Sequence, residues 1–194
     1  MEGSGEDNRM AKIRTVDGGQ LDVPIAVLKV SGYFSDFLEG SESVNEELDI
    51  SPFQLVTKEM MEYVVEFSKL AILYKSPNIS RPIFHQSIYE VTWPVYAEFA
   101  DKFDDEKLSH LILVADRLNN QPLLELLSAQ LAIKIQKLEG KLEGTEKEKK
   151  DQTTQKIREY FQITDPFDSP ESEKRIKAEN EEAFEMFDLN DDDD

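Results

Sequence analysis

The 194-residue chain contains no cysteine. Disulfides, thiolate metal sites and cysteine nucleophiles are therefore excluded. It has only two histidines, His85 and His110. They lie in different segments, and neither stands at a metal-ligand or triad spacing with another candidate. Cations are scarce: 22 Lys and Arg stand against 41 Asp and Glu, a net charge of −19. Such a chain repels phosphate backbones and anionic leaflets, which argues against nucleic acid and membrane as partners. No apolar run approaches the roughly 20 residues of a membrane-spanning helix. The opening residues, MEGSGEDNRM, lack the apolar centre of a signal peptide. No phosphate-binding glycine loop is present, because the early GSG has neither a preceding strand nor a following Lys-Ser/Thr. The expectation is a soluble intracellular protein of the cytoplasm or nucleus, with no metal, no cofactor and no catalytic residue.

What remains is a patterned chain. Residues 1–9 are small, polar and charged, and read as a disordered N-terminus. In AKIRTVDGGQLDVP, apolar alternation flanks Asp17, Gly18 and Gly19, a hairpin signal. Pro24 opens a short helix, and YFSDFLEG follows as a second apolar stretch ending at Gly40. After the acidic SESVNEE, LDIS reads as a third strand. Thr57 is placed to cap TKEMMEYVVEFSKLAILYK, with Lys75 in the last turn and Pro77 beyond it. Met60, Met61, Val64, Val65, Phe67 and Leu70 form its apolar stripe. Residues 76–92 show no period. Aromatics then recur at Trp93, Tyr96, Phe99 and Phe103. Asp104 or Asp105 caps the next helix, Asn119-Asn120 makes a turn, and Pro122 opens a further helix.

PLLELLSAQLAIKI in that last helix is apolar on more than one side. Leu124, Leu127 or Ser128, Leu131 and Ile135 form one stripe; Leu123, Leu126 and Ile133 form another, with Ala129 and Ala132 between. A helix apolar all round is buried on more than one side. Either the later helices of the chain cover the surplus face, or a partner's helices do.

The charged, glycine-interrupted stretch 137–152 reads as a linker or a solvated helix extension. TTQKIREYF reads as a short helix, and Ser169, Pro170 and Glu171 give a strong start to another. The acidic end offers Asp188, Asn190 and Asp192 at calcium-loop spacing. It lacks the glycine and glutamate such a loop needs, so a solvated tail is expected.

These motifs resemble the S-phase-kinase-associated adaptor family, the Skp subunit of SCF ubiquitin ligases. DDEKLSHLILVADRLNNQPLLELLSAQLAIKI is similar to the family's fifth and sixth helices. KIREYFQITDPFDSPESEKRIKAENEEAF is similar to its C-terminal pair, including Lys177, Glu179 and Asn180. KIRTVDGGQLDVP, EMMEYVVEF and Trp93 match the upstream portion in position. The resemblance implies an α+β fold: a BTB/POZ-type domain with a small three-stranded sheet and helices, then a C-terminal helical extension that binds an F-box. The divisions it implies are 1–9 disordered, 10–136 BTB/POZ-like, 137–152 linker, 153–187 helical extension and 188–194 acidic tail. It implies a non-enzymatic adaptor whose partners are an F-box protein and a cullin. F-box contact falls at Leu124, Ser128, Leu131, Ile157, Phe161, Ile163, Phe167 and Phe184. Ser128 and Phe184 stand where the family has cysteine and tryptophan. The cullin-facing positions are Phe34, Asp116 and Arg117. At the last two the family commonly has Asn-Tyr, and a charged pair there can exclude a partner as well as recruit one. Three roles follow: a ubiquitin-ligase adaptor, a cullin-independent structural subunit that stabilises an F-box protein, and a self-associating BTB protein.

Overall fold

A computed structural model of the protein describes residues 9–39, 48–79, 81–139, 145–161, 163 and 175. Two strands, β1 (Met10–Arg14) and β2 (Gln20–Pro24), form the expected hairpin, with Ile13 opposite Leu21 and Ala11 opposite Val23. Gly18 sits at φ +76° in its turn, a conformation glycine adopts without strain. The third strand, β3 (Leu48–Asp49), pairs parallel to β1, giving the order β2-β1-β3. Ala11, Ile13, Val23 and Leu48 turn their side chains into the core. The strands are short, so this mixed sheet is one wall of a core made chiefly by helices.

Pro24 ends β2 and caps α1 (Ile25–Leu28), and α2 (Gly32–Glu39) follows. Helix α3 (Lys58–Tyr74) starts at Thr57, whose hydroxyl accepts from the Met60 N–H at 3.3 Å. A second acceptor comes from the hairpin turn. Both carboxylate oxygens of Asp17 lie 3.1 Å from the Lys58 N–H. An anion at a helix N-terminus also meets the positive end of the dipole. The α3 stripe buries Met60, Met61, Val64, Phe67 and Ala71, while Val65 and Leu70 are half-buried. Lys75 does not sit in the last turn as expected. It is the residue after the helix, at φ +62°, where the chain leaves helical geometry ahead of Pro77.

Helix α4 (Pro94–Asp101) buries Tyr96 and Phe99, with Phe103 following. Trp93, the first of these recurring aromatics, is the N-cap residue and is exposed. Helix α5 (Asp105–Arg117) is capped by Asp104, which accepts from the Lys107 N–H at 2.8 Å. Helix α6 (Gln121–Glu139) follows a tight corner at Asn119, φ +48°. That corner holds the start of α2: Gly32 N–H donates to the Asn119 carbonyl at 2.9 Å and Tyr33 N–H to the Leu118 carbonyl at 3.2 Å. The buried Asn120 amide donates to Ser31 at 3.1 Å.

The chain divides into two compact units, Met1–Lys141 and Leu142–Asp194. In the second, helix α7 (Glu146–Tyr160) begins inside the charged stretch rather than at Thr153. Glu, Lys and Gln are good helix formers, and a charged run with few apolar residues is still a helical one. The N-terminal segment 1–8, the acidic SESVNEE, the Ser169–Glu171 helix start and the acidic tail lie outside the described residues. The fold is α+β.

Candidate functional site

Helix α6 divides its apolar surface three ways. Leu123, Leu126, Leu127, Ala129 and Ile133 are buried in the core. Polar ties fix this rotation of the helix. Lys134 donates to the Asp105 carboxylate at 2.6 Å and to the Phe103 carbonyl at 3.2 Å, and Gln130 donates to Asp101 at 3.3 Å. A second side faces the chain's own irregular segment after α3. There Gln136 donates to the Ile83 carbonyl at 2.8 Å, and Arg81 lies 3.6 Å from Glu125. A cleft of about 450 Å³ runs between Ile79, Arg81, Pro82 and Ile83 on one side and Ser128, Ala132 and neighbours on the other. This strap was not expected from sequence. Its signal is the apolar Ile79 and Ile83-Phe84 in an otherwise polar and proline-containing stretch.

The third stripe contains Leu124, Ser128, Leu131 and Ile135, spaced three and four apart and hence on one face. Leu124 and Leu131 touch the core but are only partly buried, and Ser128, which also borders the strap cleft, is exposed. Leu127, offered by the sequence as the alternative to Ser128 in this stripe, belongs to the core.

In the second unit, Ile157 and Phe161 are four residues apart at the end of α7, where the Phe161 N–H donates to the Ile157 carbonyl at 3.0 Å. The Ile163 N–H donates to the Arg158 carbonyl at 2.8 Å. Phe161 and Ile163 are both exposed. Phe167, Phe184 and the Lys177, Glu179, Asn180 element lie outside the described residues.

Asp116 and Arg117 line one cleft, which Phe34 does not line. Phe34 is only 1% exposed and belongs to the core. Phe34 meets Tyr33 edge-on at 5.2 Å, Tyr33 meets Phe53 edge-on at 5.0 Å, and the Arg117 guanidinium lies 5.0 Å from the Phe53 ring centre. Beside this relay, Pro52, Phe53, Gln54, Leu55, Leu113, Asp116 and Arg117 line an open cleft of about 530 Å³. Phe53 and Leu55 were missed by sequence reasoning, because the loop before α3 carries no periodic pattern to mark which residues face the cleft; Leu113, also missed, is an exposed apolar residue on the outer face of α5.

No constellation for catalysis appears among the described residues. His110 lies 2.9 Å from the Leu55 carbonyl, and His85 lies 4.0 Å from Glu90 on the surface. No group of three or more potential metal ligands comes together among the described residues.

No family model matches the chain. It is 28% identical over 174 residues to S-phase kinase-associated protein 1 homolog of Tetrahymena thermophila, covering 90% of this chain and 93% of that protein. It is 30% identical over 169 residues to SKP1-like protein 14 of Arabidopsis thaliana, covering 87% of this chain and 93% of that one. The chain belongs to the SKP1 family. SKP1-like protein 18 of Arabidopsis thaliana matches at 28% over 133 residues, 69% of this chain and 72% of that protein. Membership fits the mixed three-stranded sheet to a BTB/POZ-like fold. SKP1-family proteins are non-enzymatic adaptors, in keeping with a site made of apolar stripes and clefts. Among the described residues no helix is long and apolar enough to cross a membrane.

Proposed function

We propose that this SKP1-family chain is an intracellular adaptor that holds an F-box protein and links it to a cullin in an SCF-type ubiquitin ligase. The observation that carries the reading is the outward stripe of α6. Its helix already fills the core with one face and meets its own strap with another, yet leaves Leu124, Ser128 and Leu131 incompletely covered. An incompletely buried apolar stripe on a well-anchored helix suits an amphipathic helix from a partner. The same partner would engage Ile157, Phe161 and Ile163 in the second unit, together with Phe167 and Phe184. The exposed aromatic Phe161 would be an anchor.

A second reading is favoured by the α5 end. Asp116 and Arg117 stand at the positions where the family commonly has Asn-Tyr, and Arg117 is held against Phe53. A charged, stacked pair changes both the shape and the charge offered to a cullin. In this reading the chain stabilises an F-box protein within a larger assembly and binds no cullin. Titration of the purified full chain with an F-box protein, and of that complex with cullin, tests both readings. Binding of both partners supports the ligase adaptor. Binding of the F-box protein alone selects the structural subunit, and failure to bind any F-box protein removes both.

A further inference from the structure

Polar ties hold the strap to α6 towards both ends of the helix. Arg81 lies 3.6 Å from Glu125, near the helix start, and the Gln136 amide donates to the Ile83 carbonyl at 2.8 Å, near its end. Glu125 and Gln136 are eleven residues apart, roughly 16 Å along the helix axis. Along this span the strap does not close on the helix. The cleft of about 450 Å³ lies there, floored by Ser128, Ala129 and Ala132 and walled by Ile79 and Ile83.

The sequence of α6 makes that floor low. The helix has leucine at 123, 124, 126, 127 and 131, yet its three small residues fall where the strap passes. Ile79 and Ile83 pack on the core but are only partly buried. Each keeps apolar surface that a further apolar group would remove from water. The charged lining residues, Arg81 and Glu125, are of opposite sign and face each other. The cleft therefore suits an uncharged apolar group better than an acidic or a basic one.

Helical spacing joins this cleft to the outward stripe. Glu125, Ser128, Ala132 and Gln136 step by three, four and four, which makes one row along α6. Leu124, Ser128, Leu131 and Ile135 step by four, three and four, a neighbouring row. The rows meet at Ser128, which is exposed and borders the cleft. A helix lying on the stripe thus reaches the cleft across a small side chain. We propose that the strap cleft is a side pocket of the F-box seat, filled by one large apolar side chain of the partner that covers Leu124 and Leu131. The proposal rests on the F-box reading of that stripe. A side chain enclosed by Ile79, Ile83 and Ala132 is an anchor of the kind that dominates an interface. It makes the strap a selector: F-box proteins with leucine, methionine or phenylalanine at that contact bind tightly, and those with a polar or charged residue bind weakly.

The chain has no cysteine, so one introduced thiol reports on one position. Full chains carrying Ala132→Cys, Leu131→Cys or Leu73→Cys are alkylated with N-ethylmaleimide, free and saturated with an F-box protein, and followed by intact mass. Leu131→Cys reads the stripe, Ala132→Cys reads the cleft, and Leu73→Cys, at an exposed position of α3, is the control. Saturation should slow the first two at least about tenfold, as burial of a thiol does, and leave the control unchanged. Slowing at Leu131→Cys alone keeps the F-box reading and overturns the side pocket. Slowing at neither removes both. Ala132→Leu, which fills the cleft, should keep the melting temperature of the free chain and weaken F-box affinity at least about tenfold. Wild-type affinity in that variant overturns the proposal. So does an Ala132→Cys thiol that is already unreactive in the free chain at every concentration, which places a segment of the chain itself in the cleft. So does one whose reaction slows as the free chain is concentrated, which places a second copy there.

Discussion

The guanidinium of Arg117 lies 5.0 Å from the ring centre of Phe53, joining the last turn of α5 to the loop before α3. This contact ends the aromatic relay that starts at the buried Phe34. It shapes one wall of the open cleft.

Such a contact contributes about 0.5–1 kcal/mol at a partly exposed site. A double-mutant cycle with Phe53→Ala and Arg117→Ala, followed by urea unfolding, should return a coupling energy of that size. Additive losses would mean the two side chains are neighbours without attraction.

Gly32 is a point at which the first unit has no slack. A Cβ there would meet the Asn119 amide nitrogen at 2.3 Å, and the Gly32 N–H is already bonded to the Asn119 carbonyl. Gly32→Ala should destabilise the protein by about 1–3 kcal/mol, as overpacking does. Asn119→Gly removes the clashing amide and suits the φ of +48°. The double variant should therefore recover much of the lost melting temperature. No recovery would place the strain elsewhere.

Asp17 links stability to pH. The Thr15 hydroxyl, then the Lys58 N–H, hold its pKa below the ordinary carboxylate value. A depressed carboxylate stabilises the fold above its unfolded pKa, and that stability is lost as pH falls through the folded value. Asp49 acts in the same direction: the Ser51 hydroxyl and N–H, then Arg14, lower it to about 2. Asp17→Asn should lower the melting temperature at neutral pH and flatten its decline in acid. A parallel decline in both proteins would show that Asp17 is not among the groups responsible.

Much of this was legible in local pattern. Turn residues marked the hairpin, and Thr57 and Asp104 marked helix starts because their side chains satisfy N–H groups that no other chain element needs to supply. The core face of α6 was half legible. Periodicity separated two stripes but could not rotate Leu127 into the core, which is decided by packing and by the ties from Lys134 and Gln130. Phe34 matched an interface position in sequence yet is buried, since position along a helix does not report depth. The strap over α6 and the cleft beside Phe53 depend on segments 35 or more residues apart in sequence, such as Gln136 with Ile83 and Arg117 with Phe53. No local period encodes such pairings. The parallel partner of β1, likewise, is set by where the chain returns rather than by the residues Leu48 and Asp49 themselves.

The central claim is that the outward stripe of α6 and the end of α7 bind an F-box. Isothermal titration of an F-box protein into the full chain, the Leu131→Asp variant and the Phe161→Asp variant tests it most directly. A carboxylate buried without a partner at such an interface costs several kcal/mol. Both variants should therefore lose measurable binding while the first unit keeps its cooperative melting transition. Wild-type affinity in both variants would contradict the account.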